Sequence, residues 1–314
     1  MKYKILFAGL GSIGKRHLKN VANLLDARGD TYEIAAIRSD TSRKLEKEYS
    51  ELITKTYSYG EKIDEEYDIL FVTNPTSEHF QTVKEYSKYV KHMFIEKPVF
   101  DKADKNIEQL CLKNHSVYYV ACPLRYNAAL QYVKNNIDLS KVISVRSISS
   151  SYLPDWRPGQ DYRKTYSAHK EAGGGVAIDL IHEWDYLTWL FGIPDTVYCI
   201  SGHNSKLDIN SEDIAIYISK KGKLTCELHL DYFGRKTIRE LQMFMTDDTV
   251  NVDIANGKIH YLCSGKNIDF NEHRNDYQIR EIAHFFDMID NKAANDNDIN
   301  EALKIMKIAE GSLS

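Results

Sequence analysis

The sequence is poor in the residues that mark unusual classes of protein. Its 314 residues include only 6 Pro and 16 Gly, too few for a collagen-like or low-complexity chain. The 5 cysteines are far apart and form no C-x-x-C pair; they are Cys111, Cys122, Cys199, Cys226 and Cys263. An odd number of isolated cysteines predicts buried free thiols in a reducing cytoplasm, and no metal site.

Two further absences bear on location and partners. The chain has no run of the roughly 18 apolar residues that a membrane span requires, and the apolar run after Met1 is too short for a signal peptide. Lys plus Arg number 41 and Asp plus Glu 45, so no basic surplus exists to hold nucleic acid. We therefore expect a cytoplasmic protein that binds neither membrane nor nucleic acid.

The first third of the chain alternates short apolar runs with longer amphipathic segments. Strands are predicted over residues 4–10, 32–37, 69–73, 93–95 and 117–121, and helices over residues 16–25, 42–49, 77–89 and 102–113. This alternation is typical of an α/β domain with a doubly wound parallel sheet. We assign this domain residues 1–122.

The remaining residues, 123–314, follow a different pattern. A glycine triplet precedes one strongly apolar helix, and strand-like runs follow it, joined by hairpin signals such as Lys221-Gly222 and Asn256-Gly257. Two helices, over residues 277–289 and 299–313, close the chain, and the C-terminal one can pack back on the first domain. The pattern predicts an α+β domain with a large, mostly antiparallel open sheet.

A glycine motif, Gly9-Leu10-Gly11-Ser12-Ile13-Gly14, joins the first predicted strand to the first helix. Gly9 suits a tight turn, Gly11 lets a pyrophosphate approach the backbone, and Gly14 lets helix and strand pack closely. The helix start at Ser12 and Ile13 would offer unpaired N–H groups to the anion. The motif predicts a dinucleotide site; the alternative is a turn needed only for packing.

The tip of the second strand carries Arg38-Ser39, where an NAD-preferring site usually has a carboxylate for the ribose 2′-OH. Arg38, with Ser39 and the nearby Arg43, can pair with a 2′-phosphate instead. In the alternative, Arg38 only stacks on adenine and Asp40 binds the ribose. The expected cofactor is thus NADP or NAD, with NADP slightly favoured.

Glu96-Lys97-Pro98 follows another predicted parallel strand, and ligands of open α/β sheets bind at such carboxyl ends. Lys97 could hydrogen-bond a substrate hydroxyl, and Glu96 could tune the pKa of that lysine. A solvated surface ion pair is the alternative interpretation of the same two residues.

The triplet Gly173-Gly174-Gly175 precedes a predicted helix that carries Asp179, His182 and Tyr186. Positions i, i+3 and i+7 of one helix share a face, so Asp179 could orient the His182 imidazole for proton transfer. The glycines would let another backbone or a ligand approach. Helix capping and a histidine packed against tryptophans form the alternative.

The loop from Tyr152 to Tyr166 interleaves aromatic and basic side chains. Trp156 and Tyr162 can pack on a sugar ring or a base, and Arg157 and Arg163 can pair with a carboxylate or phosphate. The loop is a candidate substrate-binding segment or, alternatively, a contact between protomers.

Together these motifs resemble the Gfo/Idh/MocA family, named for glucose-fructose oxidoreductase, inositol dehydrogenase and MocA. The similar segments are residues 9–17 (GxGxIGxxH), Asn74-Pro75 with His79 (N-P-x-x-x-H), Glu96-Lys97-Pro98, Leu124-Arg125-Tyr126, and the glycine triplet with Asp179 and His182. Their order and spacing extend the resemblance over essentially the whole chain.

The resemblance implies a Rossmann domain, and an open sheet that serves partly to form a homodimer or homotetramer. It implies NAD(P)-dependent hydride transfer at a secondary alcohol carbon of a sugar. In that reaction Lys97 would bind the reacting hydroxyl, His182 would exchange its proton and Asp179 would assist. Further expected contacts with the cofactor are Asn74, Pro75, His79, Glu96 and Lys97 itself. Arg125 and Tyr186 are expected to contact the substrate.

One departure from the family pattern concerns the acid and the histidine. Many members have D-x-x-x-H, whereas this chain has Asp179-x-x-His182 and resembles a branch associated with sialic, legionaminic and other surface-sugar pathways. The expected substrate therefore shifts toward an amino sugar or nucleotide sugar. Two other functions stay open on the sequence: an NAD-dependent glycosidase that acts by transient oxidation, and a cofactor-binding regulator without turnover.

Overall fold

A computed structural model of the chain describes residues 1–311. Within them the strands are β1 (Lys2–Ala8), β2 (Thr31–Arg38), β3 (Lys55–Ser58), β4 (Tyr67–Val72), β5 (Val90–Ile95), β6 (Tyr118–Val120), β7 (Val142–Tyr152), β8 (Thr196–Gly202), β9 (Ile214–Lys221), β10 (Leu224–Asp231), β11 (Phe233–Met245), β12 (Thr249–Asp253), β13 (Lys258–Tyr261) and β14 (Asn267–Asp269). The α-helices are α1 (Ser12–Arg28), α2 (Lys47–Ser50), α3 (Thr76–Tyr86), α4 (Ala128–Asn136), α5 (Val176–Asp179), α6 (His182–Phe191), α7 (Arg274–Ile289) and α8 (Ile299–Ala309).

The described residues form two compact units. Unit 1 contains Met1–Ala121 and Gln278–Ala302, and unit 2 contains Cys122–Tyr277 and the residues from Leu303 onward. The contacts thus assign Gln278–Ala302 to unit 1, whereas the sequence pattern predicts a second domain over residues 123–314 of which only the C-terminal helix packs back on the first domain.

Unit 1 is built on a six-stranded sheet in the order β3-β2-β1-β4-β5-β6. Every neighbouring pair is parallel, which confirms the predicted parallel sheet. Phe285 of α7 packs against Phe71 of β4 and Phe94 of β5, with ring centroids 5.9 and 5.4 Å apart. This apolar contact joins Gln278–Ala302 to unit 1, because aromatic rings at this spacing bury a large apolar area.

Unit 2 contains an eight-stranded sheet in the order β14-β13-β12-β11-β7-β10-β9-β8. All neighbouring pairs are antiparallel except β7 and β10, which confirms the mostly antiparallel sheet. One face packs against α6, where Trp184 meets Tyr217 edge-on at 5.2 Å. The other face leaves Tyr198, Ile200 and Ile218 exposed.

Two helices predicted for the first domain are wrong over most of their length. Residues 42–49 contain only the single turn α2, because Asp40 Oδ1 accepts the N–H groups of Ser42 and Arg43 at 2.9 and 3.3 Å. Such a side-chain acceptor competes with helix formation. Residues 102–113 contain only a 3-10 turn, Ile107–Leu110, which ends at Cys111 with a φ of 50°.

The helix predicted after the glycine triplet is interrupted. α5 ends at Asp179 and α6 begins at His182, because Leu180 adopts φ −98° and ψ 23°, outside the helical region. Asp179 and His182 therefore lie on two helices, and the predicted single helical face is wrong. The predicted end of the last helix at Leu313 lies outside the described residues, and α8 ends at Ala309.

Three of the five cysteines are exposed, which corrects the prediction that all are buried. Cys111 directly follows the 3-10 turn Ile107–Leu110, Cys263 lies in a turn, and Cys199 lies on β8 at the edge of the second sheet. Over residues 1–311, none of the helices has both the length and the apolar character to cross a membrane.

Candidate active site

The glycine motif of unit 1 forms a cradle at the start of α1. Gly9 follows β1 with a φ of 92°, and a Cβ there would lie 2.7 Å from the Cα of Asn74. A Cβ on Gly14 would lie 2.4 Å from the Gly9 carbonyl oxygen and 2.8 Å from Thr73 Oγ1. At Gly11, by contrast, a Cβ would meet no atom within 4 Å. Gly9 and Gly14 thus close the turn, while Gly11 borders open space.

Unpaired backbone donors border that space. Gly11 precedes α1 without a side-chain cap, and the first turn, from Ser12 and Ile13, contains no acidic residue. The first N–H groups of a helix have no partner within it and carry partial positive charge. The cradle therefore fits the pyrophosphate of a dinucleotide.

Asn74 follows β4 beside Gly9. Its Nδ2 donates to Thr82 Oγ1 at 2.8 Å and to Glu78 Oε2 at 3.1 Å. Its buried Oδ1 has no hydrogen-bond partner among residues 1–311, which leaves an acceptor for a ligand hydroxyl. The adjacent Pro75 is exposed and precedes α3.

The geometry of His79 favours a positioning role over the predicted cofactor contact. The ring is 1% exposed. Its Nε2 lies 3.0 Å from the carbonyl oxygen of Asn74, and its Nδ1 lies 3.0 and 3.2 Å from those of Pro98 and Val99. Burial lowers the pKa of His79, so the neutral ring ties together the loops that follow β4 and β5.

Glu96 and Lys97 follow β5 directly. The Glu96 carboxylate contacts His17 Nε2 and accepts the N–H of Lys97 at 3.1 Å. Burial by itself would raise the pKa of Glu96, but the His17 contact and the Lys97 charge lower it. An ionised Glu96 thus lies beside the half-buried Lys97.

Arg38 ends β2, and its guanidinium donates to the carbonyl oxygen of Arg43. Asp40 Oδ1 accepts the hydroxyl of Ser42 at 2.6 Å, and this bond lowers the pKa of Asp40. Ser39 between them is exposed. The turn therefore directs an Asp40 oxygen toward Ser42 and holds Arg38 against the Arg43 backbone.

In unit 2, the buried Asp179 pairs with Tyr232. It is 3% exposed, and its Oδ2 accepts the hydroxyl of Tyr232 at 2.5 Å. The Asp179 charge, followed by burial, raises the pKa of Tyr166. Burial, followed by the same charge, raises the pKa of Tyr232. Both tyrosines therefore stay protonated, and Tyr232 donates to Asp179.

The glycine triplet packs against the chain of unit 2 itself. A Cβ on Gly174 would lie 2.1 Å from the Tyr166 carbonyl oxygen, and one on Gly175 would lie 2.1 Å from Glu212 Oε1. The Glu212 backbone carbonyl also accepts the N–H of Val176 at 3.1 Å. The sequence predicts that the triplet lets either another backbone segment or a ligand approach. The geometry supports close packing against backbone.

His182 belongs to a cluster with Glu183 and Arg239. Arg239 Nη2 donates to His182 Nε2 at 2.8 Å, and Arg239 Nε donates to Glu183 Oε1 at 2.7 Å. Arginine has no acceptor, so Nε2 carries a lone pair and the neutral ring carries its proton on Nδ1. Burial would raise the pKa of the fully buried Glu183, but Arg239 lowers it.

Three residues of the Tyr152–Tyr166 loop come together. Trp156, Arg157 and Tyr162 line a depression of about 210 Å³. Trp156 also packs edge-on against Tyr232 at 5.2 Å, which connects the depression to the residue that donates to Asp179.

The other predicted substrate residues are engaged within unit 2. Arg163 pairs with both Asp161 oxygens at 2.9 and 3.0 Å. Arg125 pairs with both oxygens of the buried Asp185 at 3.0 and 2.7 Å. Tyr186 is fully buried, with its hydroxyl 2.7 Å from Ser147 Oγ. This geometry favours structural roles for all three.

Sequence reasoning missed the partners of Asp179 and His182. Tyr232 and Arg239 lie 53 and 57 residues further along the chain, and no local spacing connects such distant positions. Glu183 did carry a signal, because a carboxylate within a strongly apolar helix is buried only when it is paired. No group of three metal-binding side chains exists among residues 1–311.

The chain is similar to several known proteins. It is 25% identical over 202 residues to the uncharacterized oxidoreductase YrbE of Bacillus subtilis, a match that covers 59% of this chain and 52% of YrbE. The chain thus spans about half the length of the curated relatives it matches.

Solved structures share the fold. Levoglucosan dehydrogenase in complex with NADH and levoglucosan matches with a TM-score of 0.83 and 13% identity, over 99% of this chain and 96% of that one. The WlbA dehydrogenase of Bordetella pertussis, in complex with NADH and UDP-GlcNAcA, matches with a TM-score of 0.79 and 17% identity, over 99% and 95%.

The family comparison agrees with the cradle geometry. Residues 3–121 match the family model described as "Oxidoreductase family, NAD-binding Rossmann fold". This range ends at the last residue of the first segment of unit 1, Ala121. Residues 3–121 are therefore similar to the NAD-binding Rossmann domain of the Gfo/Idh/MocA oxidoreductase family.

Proposed function

We propose that this chain is an NAD(P)-dependent oxidoreductase that transfers hydride to or from a secondary alcohol carbon of a sugar, amino sugar or nucleotide sugar. The observation that carries the proposal is the edge of the unit 1 sheet. There the open space at Gly11 and the orphaned Oδ1 of Asn74 lie at strand ends, as does the Glu96–Lys97 pair. Ligands of open α/β sheets bind at this edge.

The residues of unit 1 fit a dinucleotide. The N–H groups of the first turn of α1 would hold the pyrophosphate, and Asn74 Oδ1 would accept a ribose hydroxyl. When bound, the nicotinamide supplies the acceptor or donor of the hydride.

The chain's own residues would manage the hydroxyl of the reacting carbon. Lys97 would donate a hydrogen bond to its oxygen, and the ionised Glu96 beside it favours the charged lysine. During oxidation, the hydroxyl proton would pass to the lone pair of His182 Nε2 as the carbonyl bond forms. Arg239 now faces that lone pair at 2.8 Å, so the hydroxyl would replace Arg239 there, while Glu183 continues to hold the guanidinium.

The decisive test compares turnover and cofactor binding in the Lys97→Met and His182→Gln variants. We expect kcat with a sugar substrate to fall by about 10²–10⁴-fold in each, as for lost acid–base groups, with the affinity for NADH nearly unchanged. Lys62→Met and His273→Gln, at exposed positions, serve as matched controls. Full turnover in either active-site variant would remove that residue from the mechanism.

The same assay separates the alternative functions. Release of nitrophenol from a nitrophenyl glycoside without net cofactor reduction would assign the chain to NAD-dependent glycosidases. NADH binding without turnover on a broad sugar panel would assign it to cofactor-binding regulators. Either result would refute net sugar oxidation or reduction.

The proposed preference for NADP rests on Arg38. Asp40 directs an oxygen toward Ser42, and Arg38 occupies the position at which an NAD site usually has a carboxylate. An Arg38→Ala variant should lose affinity for NADPH and retain affinity for NADH. Equal losses for both cofactors would favour stacking on adenine instead.

A homodimer or homotetramer through the sheet of unit 2 is also proposed. Tyr198 and Ile200 on β8 are 72% and 78% exposed, and Ile218 on the neighbouring β9 is 49% exposed. An apolar patch on a sheet face marks an interaction surface, and the occupant we propose is a second copy of this chain.

A further inference from the structure

An irregular segment of β11 carries basic side chains that none of the motifs above includes. β11 pairs with β7 through Phe233↔Tyr152, and the next pair is Ile238↔Ser150. Four residues between these pairs, Gly234-Arg235-Lys236-Thr237, therefore leave the ladder. We call them the β11 bulge. Bulges of this kind redirect side chains next to active sites.

The bulge is a built feature of unit 2. Asp231 Oδ1 accepts the N–H groups of Phe233 and Gly234 at 3.0 and 2.8 Å. A Cβ on Gly234 would lie 1.9 Å from Ser150 Oγ and 3.1 Å from Ser150 Cβ, so a larger residue at the start of the bulge would have to displace the Ser150 side chain. After Gly234, the next three residues are exposed.

Both flanks of the bulge contact the candidate catalytic residues. Tyr232, before it, donates to Asp179 at 2.5 Å, and Arg239, after it, donates to His182 at 2.8 Å. An extended chain advances at most about 3.6 Å per residue. The Cα of Arg235 therefore lies no more than about 11 Å from that of Tyr232, and chain continuity places the bulge beside the candidate site.

The cations of this region differ from the other arginines in their partners. Neither Arg235 nor Lys236 forms an ion pair with any residue from 1 to 311, and the same holds for Arg157. Arg163 and Arg125, by contrast, each pair with a carboxylate.

Two of the unpaired cations are held by aromatic rings of the Tyr152–Tyr166 loop. The Arg235 guanidinium lies 3.9 Å from the ring centroid of Tyr152, and the Arg157 guanidinium lies 5.6 Å from that of Tyr166. Stacking on a ring orients a guanidinium but leaves its N–H donors available for an anion.

From this arrangement we infer that the β11 bulge, through Arg235 and Lys236 and assisted by Arg157, binds a negatively charged group of the sugar substrate. A phosphate or a carboxylate would satisfy these donors, because both accept the arginine fork. The inference rests on the proposed function for the identity of the ligand as a sugar. It adds the requirement that the sugar carries an anionic group outside its reacting carbon.

Calorimetric binding to the full chain, with saturating NADH present, tests the inference. The probes are UDP-N-acetylglucosamine for phosphate, glucuronate for carboxylate, and uncharged N-acetylglucosamine and glucose. In the wild type, one charged probe should bind at least about tenfold more tightly than its uncharged counterpart, equivalent to about 1.4 kcal/mol. That preference should disappear in the Arg235→Gln/Lys236→Gln variant, and added salt should weaken it in the wild type.

A charge-matched control is Lys206→Gln/Lys223→Gln, which removes two exposed lysines of unit 2 and should retain the preference. Equal binding of charged and uncharged probes, no binding of either charged probe, or a preference that survives in the bulge variant would overturn the inference. If the control variant also loses the preference, the preference arises from long-range charge and not from the bulge, and the inference is overturned.

Turnover in the same samples separates this inference from the proposed function. Oxidation of an uncharged sugar without any preference for anions would leave the proposed function standing and refute the anion site. Bulge-dependent anion binding without oxidation of any sugar would leave the anion site standing and refute the proposed function.

Discussion

The glycine turns of the two units use one residue type for two purposes. In unit 1, Gly9 and Gly14 fit against neighbouring backbone, and Gly11 between them borders open space. In unit 2, the protein's own atoms already occupy the space that a Cβ would need. A Cβ on Gly174 would lie 2.1 Å from the Tyr166 carbonyl oxygen, and one on Gly175 would lie 2.1 Å from Glu212 Oε1. The glycine turn of unit 1 therefore leaves room for a ligand at Gly11, whereas that of unit 2 packs against the protein itself.

The two units also treat their buried carboxylates differently. Glu96 of unit 1 contacts a histidine, His17, whereas Glu183 of unit 2 is held by an arginine, Arg239. Both carboxylates have lowered pKa values in spite of burial. The arginine is a permanent charge, so Glu183 keeps a charged partner at every physiological pH.

The largest expected effect contrasts Gly174→Ala with Gly11→Ala. The Gly174 variant would press a Cβ onto two backbone carbonyl groups, at 2.1 and 2.7 Å, so we expect a loss of about 4 kcal/mol in the free energy of unfolding. The Gly11 variant should lose less than about 1 kcal/mol, yet bind NADH more weakly. Denaturant unfolding and NADH titration measure the two quantities. A Gly174→Ala protein as stable as the wild type would contradict the packing role of Gly174. Unchanged NADH binding by Gly11→Ala would contradict the ligand-binding role of Gly11.

The next effect concerns the Glu183–Arg239 pair. Arg239→Met leaves Glu183 buried without its cation, which should cost about 3 kcal/mol. Burial then raises the pKa of Glu183, whereas Arg239 lowers it in the wild type. Wild-type stability from this carboxylate is present above pH 4.5, its ordinary pKa, and declines only as pH falls through the lowered value. Because the pKa of Glu183 in the folded variant lies above its ordinary value of 4.5, the variant should instead lose stability as pH rises from 4.5 through that raised pKa. Thermal unfolding measured across this pH range tests the difference.

The double variant Glu183→Gln/Arg239→Met is the control for that experiment. It removes the buried charge together with its partner, so its stability should exceed that of Arg239→Met and depend less on pH. Equal stability of the single and double variants at pH 7 would show that the pair contributes little.

Much of the fold could be predicted from the sequence because the signals were local. The nearly continuous apolar residues of β1 and β4 specify buried parallel strands, and the hairpin glycines specify antiparallel ones. The helix predicted over residues 42–49 is wrong because helical spacing does not reveal that Asp40 accepts the N–H groups of Ser42 and Arg43. The side chain of one residue outside the segment decided its conformation.

The candidate site of unit 2 was less predictable because its contacts join distant positions. Asp179 and His182 were recognisable as chemical groups, but their partners, Tyr232 and Arg239, flank a bulge on another element. Arginine spacing alone could not separate Arg163, paired with Asp161, from Arg157, which stacks on Tyr166. Only the folded chain shows which cations already have partners.

A smaller effect is expected at Glu96, where the partner is a histidine. Glu96→Gln removes a carboxylate with a lowered pKa, so the variant should be about 1–2 kcal/mol less stable at pH 7. A lowered folded-state pKa contributes stability above pH 4.5, the ordinary value, and loses it as pH falls through the folded-state value. The unfolding curves of wild type and variant should therefore converge in acid. A constant difference down to pH 2 would contradict an ionised Glu96.

The smallest effect on unfolding is expected on the open sheet face of unit 2. Ile200 is 78% exposed, so Ile200→Asp should change the free energy of unfolding of a protomer by no more than about 0.5 kcal/mol. If a second copy covers this face, a charge buried there without a partner would strongly oppose association. Light scattering should then show the mass falling to that of a monomer. Lys220→Asp, exposed at the far end of β9, controls for charge. An unchanged mass for Ile200→Asp would move the interface elsewhere, and this face would then lack the self-association that we propose for it.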